Sequence, residues 1–120
     1  MRKSTLNSMI TVQVTRDQNL GVHTIAVSGH AESGPYGYDL VCAAVSAITF
    51  GGINSIEALC HFQPEVEQAS DGGYIHCRLP SSLTEEQVTK AQLLLEGMLV
   101  SMKTIEASYG KHIQVKDQEV

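Results

Sequence analysis

Residues 29–49 read GHAESGPYGYDLVCAAVSAIT and carry, in order, His30, Asp39 and Cys42. A histidine touching a cysteine can take its proton and leave a thiolate beside an imidazolium, which is an activated nucleophile. Asp39 is a good helix N-cap, and a cap there puts Cys42 in the first helical turn. Unpaired backbone N–H groups and the positive end of the helix dipole favour an anion in that turn, so a cysteine with a cationic neighbour ionises there below its ordinary range. Asp39 has two readings. As a cap it stabilises the helix by about 1 kcal/mol, and as a third catalytic member it would orient the imidazole. The cap needs nothing beyond sequence position and stands first. Ser46, one turn after Cys42, either bonds to the site or satisfies itself on a backbone carbonyl. Spacing alone leaves Cys42 open between nucleophile and small hydrophobe, since cysteine is among the most buried residue types. The glycine-rich segment joining it to His30 tilts the balance towards a site.

That segment has its own logic. Gly29 offers His30 a hinge at a strand end, Gly34 and Gly37 can absorb backbone rotation, and Pro35 stiffens the centre. Tyr36 and Tyr38 can offer apolar faces to a substrate. One expectation is a passive surface connection. The sharper one is a cover over residues 31–38 that is mobile in the free protein and ordered by substrate.

The elements that would position these groups follow from periodicity. Ile10, Val12 and Val14 alternate with polar residues, the pattern of a half-buried strand. A turn at 17–21 and a second strand, Val22 to Ser28, complete a hairpin. A helix runs from Asp39 to about Leu59, with Val41, Val45, Ile48, Ile56 and Leu59 as its stripe. Ala43, Ala44, Ala47 and Phe50 cover its other sides, which predicts burial all round. Residues 64–70 and 74–79 form a second hairpin around Asp71-Gly72-Gly73. A second helix opens at Thr84, with Gln87 completing a capping box. Val88, Ala91, Leu95, Met98, Met102, Ile105 and Tyr109 form its main stripe, and Gly110 is a natural C′ stop. Leu93, Val100 and Ala107, with Gly97 between them, read either as a second stripe that needs the first helix or another copy of the chain as cover, or as scattered surface apolars. Ile113 and Val115 mark a last strand. The order β-β-α-β-β-α-β predicts an α+β fold, a mostly antiparallel sheet carrying two helices. Residues 1–9 read as a polar N-terminal tail and 10–120 as a single domain.

Composition narrows the function. The 120 residues are 42% hydrophobic and 18% charged, as in an ordinary globular domain. No apolar run is expected to span a membrane, and the start lacks the features of a secretory signal. Cysteines 42, 60 and 77 suggest no disulfide framework and suit a reducing cytoplasm. With eight Lys and Arg and a net charge of −5, no basic stripe for nucleic acid is visible, and a charged partner would be basic. Cys60 and Cys77 read as core. His23, His76 and His112 read as solvated or locally bonded.

GHA followed by G-Y-D-L-V-C-A-A-V-S resembles the signature of the ribosomal-processing cysteine proteases, the Prp family. The resemblance extends to the I-T-V-Q-V strand, the D-G-G hairpin and the last helix ending in S-Y-G. It implies a cytoplasmic cysteine endopeptidase with Cys42 as nucleophile and His30 as base, without a cofactor. It also implies a homodimer, and as substrate the precursor of large-subunit ribosomal protein twenty-seven, which loses an N-terminal extension needed off for ribosome assembly. Two rivals remain. One is a non-catalytic assembly factor that grips the ribosomal protein. The other is a zinc site drawn from His30, Cys42, Cys60, His61, His76 and Cys77, although the spacings of zinc motifs are missing.

Overall fold

The computed structural model describes residues 9–29, 36–70 and 73–117, and of residues 36–39 the backbone only. The elements come in the expected order: β1 (Ile10–Arg16), β2 (Val22–Ser28), α1 (Tyr36–Cys60), β3 (Glu65–Gln68), β4 (Tyr74–Arg78), α2 (Glu85–Tyr109) and β5 (Ile113–Asp117). The strands form one sheet in the order β3-β4-β2-β1-β5. β1/β2, β2/β4 and β3/β4 pair antiparallel, and β1/β5 is the single parallel pair.

Alternation decides which face of the sheet is covered. Ile10, Val12 and Val14 point to one side, joined through the register by Ile25, Val27, Ile75, Cys77, Ile113 and Val115. Gln13, Tyr74, Arg78 and Gln114 point the other way and stay exposed. Both helices lie on the apolar face and pack against each other. Each fully buried aliphatic side chain contributes roughly 1.5–3 kcal/mol.

The β1–β2 turn is held by Asp17, whose Oδ1 accepts from the amides of Asn19 and Gly21, both at 2.9 Å. The N-terminus of α2 is the capping box its sequence predicts. Thr84 Oγ1 accepts from the Gln87 amide at 3.1 Å, and the Thr84 amide donates to Gln87 Oε1 at 3.0 Å. The far end differs from expectation in one respect. Gly110 caps α2 with φ −59°, right-handed rather than left-handed, so it ends the helix without the glycine-specific motif.

α1 departs further. It begins at Tyr36, so Asp39 is a residue inside the helix and not its N-cap. Packing of Val41 and Val45 in the core outweighs the weak helix propensities of Gly37 and Asp39, so the helix runs through both. The expected burial all round is also corrected. Val41, Val45, Thr49, Ile53, Ile56 and Cys60 are buried, while Leu40, Phe50 and Leu59 are 47%, 44% and 59% exposed. Among the described residues two helices share one face of one sheet, and the outer side of α1 is left uncovered. Leu40–Cys60 also corrects the expectation on membrane spans, being long and apolar enough to cross a bilayer by length and composition. Its alanines, glycines and a single charge, Glu57, produce that average. In the fold one face of this helix packs on the sheet and α2, as a core helix does.

The two helices meet closely at Gly52, where an added Cβ would lie 2.2 Å from Met98 Sδ. On the other flank, Arg16 ties β1 to β5 and α2. Its Nε and Nη2 donate to the two carboxylate oxygens of Asp117 at 2.8 and 3.0 Å, and its Nη1 donates to Glu96 Oε2 at 2.6 Å. The guanidinium is 11% exposed and Asp117 13%. Arg16, with Lys103 also donating to it, holds the Asp117 carboxyl below the usual carboxylate range.

Candidate active site

Cys42 lies on α1 after the six helical residues Tyr36 to Val41. It is therefore not in the first turn, and the free amides of the helix start end at Tyr38. The dipole's effect falls off within that first turn, so the expected help to a thiolate from the helix end does not reach this position. An activating partner has to come from elsewhere.

The Cys42 side chain is half-buried and free of any disulfide. It lines a cavity of about 170 Å³ between α1 and the inner face of the sheet. α1 contributes Cys42, Val45, Ser46, Thr49 and Phe50 to this space. These follow the helical i, i+3, i+4, i+7, i+8 spacing, so one face of α1 forms the wall. Ile10, Val27 and Gly29 close the end nearest β1 and β2, and Gln68, Gly73, Tyr74 and Ile75 form the side towards β3. The lining is mainly apolar, and Thr49 spends its hydroxyl on the Val45 carbonyl at 2.8 Å. Ser46 is exposed at the rim, one turn from Cys42.

Gly29 has a more definite role than a hinge. It takes φ +86°, and a Cβ there would meet the Met9 carbonyl oxygen at 2.5 Å. Its amide donates to the Gly73 carbonyl at 3.2 Å. The position requires glycine and is bonded into the sheet, a fixed bend in place of a pivot. His30, Gly34 and the cover expected over residues 31–38 lie outside the described residues, as do the side chains of Tyr36, Tyr38 and Asp39 and everything beyond the backbone of Gly37.

The other cysteines sit in the core, as their sequence positions suggest. Cys60 is 3% exposed at the end of α1, its carbonyl accepting from Gln87 Nε2 at 3.1 Å. Cys77 is 5% exposed in β4, and burial pushes its thiol up to about 11. His61 stands exposed at φ +64° just beyond α1, and His76 stacks on Tyr74 with ring centroids 6.4 Å apart. Among the described residues no group of three or more His, Cys, Asp and Glu side chains is placed to hold a metal ion.

Sequence reasoning missed most of the wall. Thr49 and Phe50 could have been found from their i+7 and i+8 spacing to Cys42. Gln68, Tyr74 and Ile75 could not, because they reach the site only through the pairing of β4 with β2.

Comparison with known proteins bears on this arrangement. The sequence model of the family described as cysteine protease Prp matches residues 9–114. The ribosomal processing cysteine protease Prp of Bacillus subtilis is 41% identical over 107 residues, covering 89% of this chain and 96% of that protein. Its counterpart from Staphylococcus aureus is 39% identical over 107 residues, 89% of this chain and 97% of the relative. A crystal structure of the S. aureus protease with a substrate peptide superposes with a TM-score of 0.80 at 36% identity, covering 92% of this chain and all of that one. A second structure of that protease, with a covalently linked product peptide, gives 0.78 at 37% identity and the same coverage.

Proposed function

The chain belongs to the Prp family of cysteine proteases, and on that premise we propose that it is an endopeptidase of ribosomal processing with Cys42 as nucleophile and His30 as base. The purely binding, non-catalytic alternative has no support in that membership. The observation that carries the reading is the Cys42 thiol lining a cavity that Gly29, the residue before His30, also lines. His30 follows Gly29 directly in the sequence, and consecutive Cα atoms are about 3.8 Å apart, which supports pairing it with Cys42. Cys60 and Cys77 are instead buried in the core, 3% and 5% exposed.

The reaction follows from these groups. His30 takes the thiol proton, and Cys42 Sγ attacks the scissile carbonyl carbon to form a tetrahedral adduct. The adduct collapses, the C–N bond breaks, and the imidazolium returns its proton to the leaving amine. The resulting thioester is hydrolysed by a water that His30 deprotonates, which frees the carboxylate product and restores the thiol. The covalently linked product peptide of the S. aureus relative supports a covalent route. With the dipole of α1 out of reach, activation of the thiol falls to the histidine. The apolar lining between Phe50 and Ile75 suits an apolar substrate side chain close to the scissile bond.

The substrate we propose is the precursor of large-subunit ribosomal protein twenty-seven, cut to remove its N-terminal extension. The net charge of −5 suits a basic ribosomal protein. The exposed stripe of Leu93 and Val100, 75% and 64% exposed on α2, suits a second copy and a homodimer. Three free cysteines suit a reducing, cytoplasmic setting, and the chemistry needs no cofactor. The test is incubation with a synthetic peptide spanning the extension junction, read by mass spectrometry. A new terminus that disappears with Cys42→Ala or His30→Ala is the expected result, and cleavage that survives either substitution within tenfold of normal overturns the assignment of that residue.

A further inference from the structure

The two edges of the sheet are finished differently. At β5 the amide of Val115 donates to Glu106 Oε2 at 2.9 Å, so a carboxylate from α2 occupies a position an added strand would need. At β3 the bond from the Ala69 amide to the Tyr74 carbonyl, 3.0 Å, fixes the alternation of the ladder. The pairs Glu65↔Arg78 and Glu67↔His76 then exchange main-chain bonds, and the pairs Val66↔Cys77 and Gln68↔Ile75 do not. Val66 and Gln68 therefore turn their N–H and C=O groups outward. Among the described residues nothing bonds those amides, and all four residues of β3 are exposed. The strand has no proline and no bulge to close it, and a row of open donors and acceptors is a template for another strand.

This edge is continuous with the cavity. The side chains of Val66 and Gln68 share the inner face with Cys77 and Ile75, and Gln68 lines the same space as Cys42. Glu65 and Glu67 give the strand an acidic outer face, with Glu65 engaged by Arg78. An extended peptide of positive charge fits both features.

We infer that the free edge of β3 takes the substrate peptide as an added strand, bonded through its main chain to Val66 and Gln68, while the peptide beyond it crosses the cavity to Cys42. The inference rests on the reading of Cys42 as the nucleophile. Main-chain pairing gives affinity without demanding a particular sequence, and the alternate side chains turned towards α1 supply selection. Because strand residues alternate, the peptide should be sensitive at every second residue.

The experiment uses the junction peptide of the ribosomal protein precursor, N-methylated at one residue at a time, bound to Cys42→Ala protein. Loss of one main-chain bond of ordinary strength predicts a Kd raised about fivefold at alternating positions of the β3 segment and unchanged between them. Val66→Pro removes an outward amide that the ladder does not use and should raise the Kd of the unmodified peptide several-fold, with cleavage by the Cys42 enzyme showing the same rise in KM. Affinity indifferent to N-methylation overturns the docking inference, whatever happens to Val66→Pro. A Val66→Pro protein that changes its sedimentation mass yet keeps its peptide affinity assigns the edge to a second copy and overturns it too. The proposed activity is judged separately, by cleavage of the unmodified peptide. Alternating sensitivity without cleavage would sink the activity and keep the docking edge.

Discussion

The sheet has a closed half and an open half. Under α2, Val12, Val14, Leu95, Leu99, Met102 and Ile113 are at most 2% exposed, Arg16 ties three elements together, and Glu106 caps the edge. On the side of α1, Phe50 of the helix and Tyr74 of the sheet stay 44% and 40% exposed beside a cavity of about 170 Å³, and the edge strand, with Val66 40% exposed, is open. The contrast separates two tasks. A protease must leave room beside its nucleophile, and apolar surface left in water contributes nothing to folding. The closed half carries the stability that the open half forgoes, so the two should respond differently to substitution.

The largest stability effect belongs to Arg16. Arg16→Gln leaves Asp117 buried with only Lys103 beside it, and breaking such a pair costs about 3 kcal/mol. Urea unfolding should show that loss, with kcat/KM of the remaining folded protein close to normal. The same variant has a pH signature. Arg16 depresses the folded-state pKa of Asp117, so this stabilisation is present above the unfolded carboxylate value, about 4, and is lost as pH falls below it. Wild-type stability should decline faster with acid than that of Arg16→Gln. Parallel curves would mean the pair contributes little.

Gly52→Ala comes next. Its Cβ would collide with Met98 Sδ, and overpacking at a helix crossing costs about 1–3 kcal/mol. Since Gly52 is on the same helix as Cys42, this variant sharpens the comparison. A fall in melting temperature with little change in KM places the crossing with the closed half, and a changed KM would show that α1 transmits the shift to the cavity. The smallest effect is that of Thr84→Ala, which removes one side of the capping box and should cost about 1 kcal/mol by urea unfolding. Activity should not move.

The open half was also the harder one to read from the sequence. Ile10, Val12 and Val14 declare their strand by alternation, and Thr84 with Gln87 declares a helix start by chemistry that needs only four residues. All seven elements follow from local signals of that kind. The start of α1 does not. Gly37 reads as loop punctuation and Asp39 as a cap, yet the helix forms through both, because packing of Val41 and Val45 on the sheet outweighs the weak propensities of the first turn. The open outer side of α1 was hidden by its alanines, which are as acceptable in water as in a core. The cavity depends on strand order, a non-local property, so Gln68, Tyr74 and Ile75 carry no local mark of it. Cys42 was legible as a candidate because its type is chemical, although the help expected from the helix end is absent.

In the proposed function Cys42, alone among the three cysteines, does the chemistry in the open half. Partial alkylation with iodoacetamide tests it most directly, with the modified fraction at Cys42, Cys60 and Cys77 measured by mass spectrometry beside the residual cleavage of the junction peptide. Cys77, with its thiol pushed up to about 11 by burial, should stay unmodified at neutral pH, and so should buried Cys60. Activity should fall in proportion to modification of Cys42 and reach zero when that site is fully alkylated. Cleavage that persists with Cys42 fully alkylated, or that falls in step with Cys60 or Cys77, would contradict the account.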